Sequence, residues 1–120
     1  MTQKTGADLI NEARARIHEV SAAEVRSMME RGEGAVFLDV REPQEFNLGH
    51  LPGALHIPRG NLELKVEAAV PRDAYVVSYC ASGPRSALAT DTLQQLGYVN
   101  AVSLSGGWRE WVGSGGTVEA

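Results

Sequence analysis

The chain holds one cysteine in 120 residues, so no intramolecular disulfide can form. With no disulfide framework and no apolar leader at Met1-Thr-Gln-Lys-Thr5, the simplest expectation is a reducing cytoplasm. No run approaches the roughly 18 apolar residues that a membrane-spanning helix needs, so no membrane partner is expected. Basic residues are also short: 11 Lys and Arg stand against 15 Asp and Glu, a formal net charge of −4. That deficit, with no basic run to offset it, argues against a general nucleic-acid binder. It also means that an anionic ligand must be drawn in by particular arginines, because the surface as a whole repels it. Internal repeats and low-complexity tracts are absent. What remains is an ordinary globular composition, 43% hydrophobic and 22% charged, in a chain of one-domain length.

Helical and extended segments alternate along it. Residues 7–17 place Ile10, Ala13 and Ile17 on one helical face, as a helical extension lying on the core of its own domain or of a second copy. His18-Glu-Val20 reads as a short extended link. Ser21 to Glu24 has capping-box spacing ahead of Val25, Met28 and Met29, giving a helix that stops near Gly32. Ala35-Val-Phe-Leu-Asp-Val40 is apolar enough for a buried central strand. A short helix from Pro43 to Leu48, a turn at 50–53, a strand at 54–57 and a helix over 61–70 follow. Ala101-Val-Ser-Leu104 is a last strand, ahead of Gly106-Gly107, a short helix at Trp108–Trp111 and a Gly/Ser-rich tail expected to be loose. The alternation implies an α/β fold with a mostly parallel sheet covered on both faces, and ligands bound past the carboxyl ends of the strands. At those ends lie Arg41, Arg59, Cys80 with its loop, and Ser105-Gly106-Gly107.

The most informative stretch is Tyr75-Val-Val-Ser-Tyr-Cys-Ala-Ser-Gly-Pro-Arg-Ser86. A Val- and Tyr-rich strand runs into Cys80, a loop of small residues follows, and Ser86 opens an amphipathic helix that Gly97 closes. A lone cysteine is commonly a small buried apolar residue. Here, however, its sulfur would face outward-pointing N–H groups and the positive end of a helix, with Arg85 on the same loop. Those are the conditions that favour a reactive thiolate. The histidines His50 and His56 are not needed as a base for such a thiol, and none of the three histidines has metal-ligand spacing to another histidine or to the cysteine.

Four pieces in order resemble the rhodanese-like single-domain sulfurtransferases. Leu38-Asp-Val-Arg-Glu-Pro-Gln-Glu-Phe46 and Gly49-His-Leu-Pro-Gly-Ala54 resemble the first signature. Tyr79-Cys-Ala-Ser-Gly-Pro-Arg-Ser86 resembles the active loop, and Leu96–Trp108 with Trp111 the closing signature. The resemblance divides the chain into a helical extension, 1–18, and a rhodanese-like domain, 19–120, with about five strands. It implies sulfur transfer through a persulfide on Cys80, stabilised by backbone N–H groups between Ala81 and Ser86, with no metal or organic cofactor. The implied substrate-binding residues are Ala81, Ser82, Gly83, Pro84, Arg85 and Ser86, with Arg59 as a pocket charge and Asp39 and Arg41 as loop supports. The implied partners are a small anionic sulfur donor and a thiol, cyanide or protein-cysteine acceptor, with the chain as monomer or homodimer. Arg85 either contacts the anion or pins the loop through a carboxylate such as Asp39 or Glu45. Tyrosine-phosphatase-type and arsenate-reductase enzymes of related fold carry a larger loop than the four residues Ala81–Pro84, which makes phosphoryl transfer the lesser reading. The other alternative is a non-catalytic binding or persulfide-relay module. Neutral Ala81 and Ser82, where thiosulfate-using relatives often carry basic side chains, weaken the case for thiosulfate as the physiological donor.

Overall fold

The computed structural model describes residues 3–120. Five parallel strands form one sheet in the order β1-β5-β4-β2-β3: β1 Glu19–Val20, β2 Val36–Asp39, β3 Leu55–His56, β4 Val76–Tyr79 and β5 Ala101–Leu104. The central strands β4 and β5 are buried at every position, which is why they read as mostly apolar runs, each broken by one buried serine, Ser78 and Ser103, rather than as alternations. Six helices cover the sheet: α1 Gly6–Arg16, α2 Ala22–Arg31, α3 Pro43–Asn47, α4 Leu62–Ala69, α5 Pro84–Gln95 and α6 Gly107–Gly113.

Period-two side-chain direction divides the core between two faces. Val76 and Cys80 face a cluster that includes Leu38, Leu62, Val66 and Leu93, under α4 and α5. Val77 and Tyr79 face the opposite cluster, with Val25, Met28, Leu104 and Trp111, under α2 and α6. Each such buried Leu or Val contributes about 1.5–3 kcal/mol of transfer free energy. The Ser21–Glu24 capping box is present at α2, and Thr5 with Asp8 makes a second one at α1.

Helix α1 packs against α5 of its own domain. Ala13 is fully buried there, and Arg16 holds Asp91 with two hydrogen bonds of 2.9 and 2.8 Å. The tail is not loose. Residues His50 and Glu119 exchange two backbone hydrogen bonds of 2.9 Å, and the Trp111 indole N–H donates to the Thr117 carbonyl at 2.8 Å. A Gly- and Ser-rich composition suggested freedom, but an indole with one polar edge needs a partner when buried, and this tail supplies it.

Candidate active site

Strand β4 delivers Cys80 to the carboxyl end of the sheet's centre, and Pro84 starts α5 only four residues on. The helix begins two residues earlier than Ser86 because proline's fixed φ suits the first helical turn. Gly83 makes the turn between them with φ +119°, a conformation that side chains disfavour. This geometry folds two amides back onto the sulfur. Gly83 N–H donates to Sγ at 3.1 Å and Ser86 N–H at 3.4 Å. Pro84 lacks an N–H and contributes no donor, so the expected cradle is narrower than a full ring of amides. The thiol lies 3.6 Å from Ser86 Oγ, which bonds the Gly83 carbonyl at 3.1 Å and Ser103 Oγ at 2.9 Å. Ser103, on the neighbouring β5, was not singled out from sequence; its pairing with Ser78 in the sheet brings it under the loop.

A second device fixes the loop from outside. Trp108 N–H donates to the Cys80 carbonyl at 2.8 Å, and Arg109 N–H to the Ala81 carbonyl at 3.0 Å. These bonds require the start of α6 to lie directly on the loop, and Gly107 permits it. A β-carbon there would collide with the Cys80 carbonyl oxygen and approach Ala81 to 2.9 Å. Ser82 is exposed at the loop's edge and Ala81 half-buried.

The charged residues expected at the site, Asp39, Arg41, Arg59 and Arg85, are paired. Of the two carboxylates expected for it, Arg85 grips Glu45 of α3, with two bonds of 2.8 and 3.1 Å, and not Asp39. Arg85, followed by the Glu42 N–H, holds the Glu45 carboxyl down at about 2, against an ordinary 4.5. The Arg85 guanidinium is itself raised, first by Glu45, and the nearby Cys80 sulfur adds a smaller favourable contribution. Asp39 is committed to Arg41, both buried, with bonds of 2.7 and 3.1 Å; Arg41 also donates to the Gly49 carbonyl at 2.7 Å and lies over the Trp108 ring. This pair ties the end of β2 to the Gly49 turn. Burial, then Asp39, pushes the Tyr79 phenol above its ordinary range.

Arg59, expected as a pocket charge, is paired: its guanidinium binds Glu63 at 3.1 Å and Thr92 Oγ1 at 3.2 Å. A 3-10 turn at Arg59–Asn61 directs it to the carboxylate four residues on. The histidines are likewise occupied: His50 faces the Phe46 carbonyl and Glu119, and His56 the Arg41 carbonyl. A surface cleft bordered by Arg26, Met29, Trp111 and Thr117 is lined by none of the loop residues 80–86.

The family model of the rhodanese-like domain matches residues 21–114. A human thiosulfate:glutathione sulfurtransferase is 37% identical over 106 residues, spanning 78% of this chain and 91% of that protein. A Bacillus subtilis protein named for sulfur carriage is 31% identical over 111 residues; the match covers 92% of this chain but 59% of that longer relative. Among solved structures, a Rhodopseudomonas palustris protein of unknown function, described as a possible tyrosine phosphatase, superposes with a TM-score of 0.89 at 30% identity. It covers 99% of this chain and 97% of its own.

Proposed function

The chain belongs to the rhodanese-like domain family, and on that premise we propose that it moves sulfane sulfur from a donor to a thiophilic acceptor through a persulfide on Cys80. The observation that carries this reading is the cradle, with the Gly83 and Ser86 amides aimed at Sγ. In the first half-reaction the Cys80 thiolate attacks the outer sulfur of thiosulfate. A Cys80–S bond forms, the sulfur–sulfur bond of the donor breaks, and sulfite leaves with the electron pair. In the second, a nucleophile such as cyanide or a thiolate attacks the terminal sulfur and returns the Cys80 thiolate. The same N–H groups serve thiolate and persulfide, since both carry negative charge at sulfur. One difficult transfer thus becomes two easier ones.

A loop of four residues between Cys80 and Arg85 suits a single sulfur atom better than a phosphoryl group with three oxygens. With no second cysteine in the chain, the sulfur must leave to an external acceptor. A relay module that passes persulfide between proteins is the second reading, favoured by the neutral Ala81 and Ser82 and by the resemblance to the Bacillus protein named for sulfur carriage. Incubation with thiosulfate followed by intact mass spectrometry separates these readings. The enzyme should gain one sulfur that cyanide removes and that Cys80→Ala never acquires. Loading from a persulfide donor alone would favour the relay, and no adduct from either donor would sink both.

A further inference from the structure

We propose that Arg14, on the N-terminal helix, is the cation by which this site recognises the anionic end of its sulfur donor. Three observations carry this. First, Arg14 reaches the cradle's own glycine: its Nη2 lies 3.1 Å from the position a β-carbon on Gly83 would take, and Gly83 supplies the shorter amide bond to the sulfur. Second, its charge is uncommitted. Arg85 is matched by Glu45, Arg41 by Asp39, Arg59 by Glu63 and Arg16 by Asp91. Among the described residues Arg14 has no hydrogen-bond or ion-pair partner. Third, its placement is not accidental to the helix. Ile10, Ala13, Arg14 and Ile17 fall at i, i+3, i+4 and i+7, the stripe a docked helix normally fills with apolar residues. Arg14 itself is exposed, on a helix anchored by a capping box and by the Arg16–Asp91 pair, so its guanidinium is free to meet a ligand from solvent.

The chain needs such a cation. Its net charge of −4 repels anions at long range, and the loop positions beside Cys80 are the neutral Ala81 and Ser82. A donor such as thiosulfate brings its reacting sulfur to the cradle and leaves a sulfonate outside it. A guanidinium forks onto two sulfonate oxygens, and does so without a competing carboxylate. Arg14 would therefore act on donor binding and not on the sulfur-transfer step, and it lies outside the 21–114 span that the family model matches. The donor assignment rests on Cys80 being the sulfur-accepting nucleophile, so the test is chosen to fail separately from that reading.

Cys80 is alkylated with iodoacetate, an anion, and with iodoacetamide, its neutral counterpart, and the ratio of the two rates is compared among variants. Arg14→Gln should lower the ratio by about three- to tenfold, the effect of one unit charge at contact distance in a mostly aqueous setting, with iodoacetamide alone unchanged. Arg14→Lys should recover much of it. Lys65→Gln, which removes a charge of the same sign on α4, should leave the ratio as it was. With thiosulfate as donor and dithiothreitol as acceptor, Arg14→Gln should raise the donor KM about tenfold at unchanged kcat. An unaltered ratio in Arg14→Gln, or an equal fall in Lys65→Gln, overturns the proposal whether or not the protein transfers sulfur. Failure of both reagents to reach Cys80 overturns it too, because a site closed to them is closed to thiosulfate. A lowered ratio with no persulfide from any donor would instead retain Arg14 as an anion-recognition residue and reject the sulfurtransferase reading.

Discussion

Gly107→Ala tests whether the active loop is held from behind. Gly107 has φ +58°, and a β-carbon there would strike the Cys80 carbonyl oxygen and lie 2.9 Å from the Ala81 carbonyl carbon and oxygen. The left-handed conformation alone costs a non-glycine residue about 1–2 kcal/mol. The collision adds about 1–3 kcal/mol, as for other overpacked sites, because the neighbour is backbone and cannot swing aside. Gly53→Ala supplies the reference: φ is +73° and nothing lies within 4 Å, so only the conformational cost applies. Taking about 4 °C per kcal/mol for a domain of this size, Gly107→Ala should melt about 8–20 °C lower and Gly53→Ala about 4–8 °C lower. The two should also part in function. Relieving the collision must shift the Cys80–Ala81 peptide, lengthening the 2.8 and 3.0 Å bonds from Trp108 and Arg109 and rotating the amides that follow. Misplacement on the ångström scale costs up to about a hundredfold in rate, so sulfur loading at 20 °C should slow at least tenfold in Gly107→Ala and hold in Gly53→Ala. Equal melting losses with unimpaired loading in both would refute the idea that Gly107 clamps the loop.

Two further perturbations address the buried and half-buried charges. Arg41→Leu leaves the fully buried Asp39 without its partner and should cost about 3–5 kcal/mol in urea unfolding; Asp39→Leu/Arg41→Leu, which removes both charges, should cost less. A double variant less stable than the single one would show that Asp39 is not stranded. Glu45→Gln tests the Arg85 pair through pH. The folded-state pKa of Glu45 is lowered from 4.5 to about 2, so its contribution is fully present above about 4.5 and is lost as pH falls toward 2. Because the pair is about one-third exposed, the contribution is discounted to about 1 kcal/mol. The stability gap between wild type and Glu45→Gln should therefore be near 1 kcal/mol at pH 7 and close by pH 2–3. A gap that persists unchanged in acid contradicts the ion-pair account.

How far these features could be read from sequence depends on the range of the interaction that fixes each one. The β4–loop–α5 unit was legible because its determinants are local: Val and Tyr before Cys80, then Gly83 and Pro84. A mostly parallel sheet covered on both faces followed from the alternation of segments, but β1 at Glu19–Val20 reads in sequence only as a short extended link, because two residues carry no periodicity. Arg85 could be expected to pin the loop, but the choice of Glu45 over Asp39 is made by 40 residues of intervening chain and by Arg41 claiming Asp39 first. The Arg59–Glu63 pair is legible from its i,i+4 spacing, which strand-end position alone does not reveal. Arg14 went unnoticed although its i+4 position in an apolar stripe was visible. The packing of α1 on α5 is what brings Arg14 beside Gly83.

A cradle of two amides binds negative charge on sulfur but does not choose among donors. Thiolate, persulfide and the outer sulfur of thiosulfate all offer the Gly83 and Ser86 N–H groups the same acceptor. Discrimination must come from groups that meet the rest of the donor. At this site the loop's own side chains contribute little to it: Ala81 and Ser82 are neutral, and the charge of Arg85 is largely answered by Glu45. On the proposed reading, catalysis and recognition are therefore placed on separate elements. The loop, fixed by Gly107 and Glu45, handles the sulfur, while the N-terminal helix supplies an unpaired charge beside Gly83. Substitution at position 14 should consequently change which donor is preferred while leaving the second half-reaction untouched, because the leaving sulfonate has already departed when the acceptor arrives.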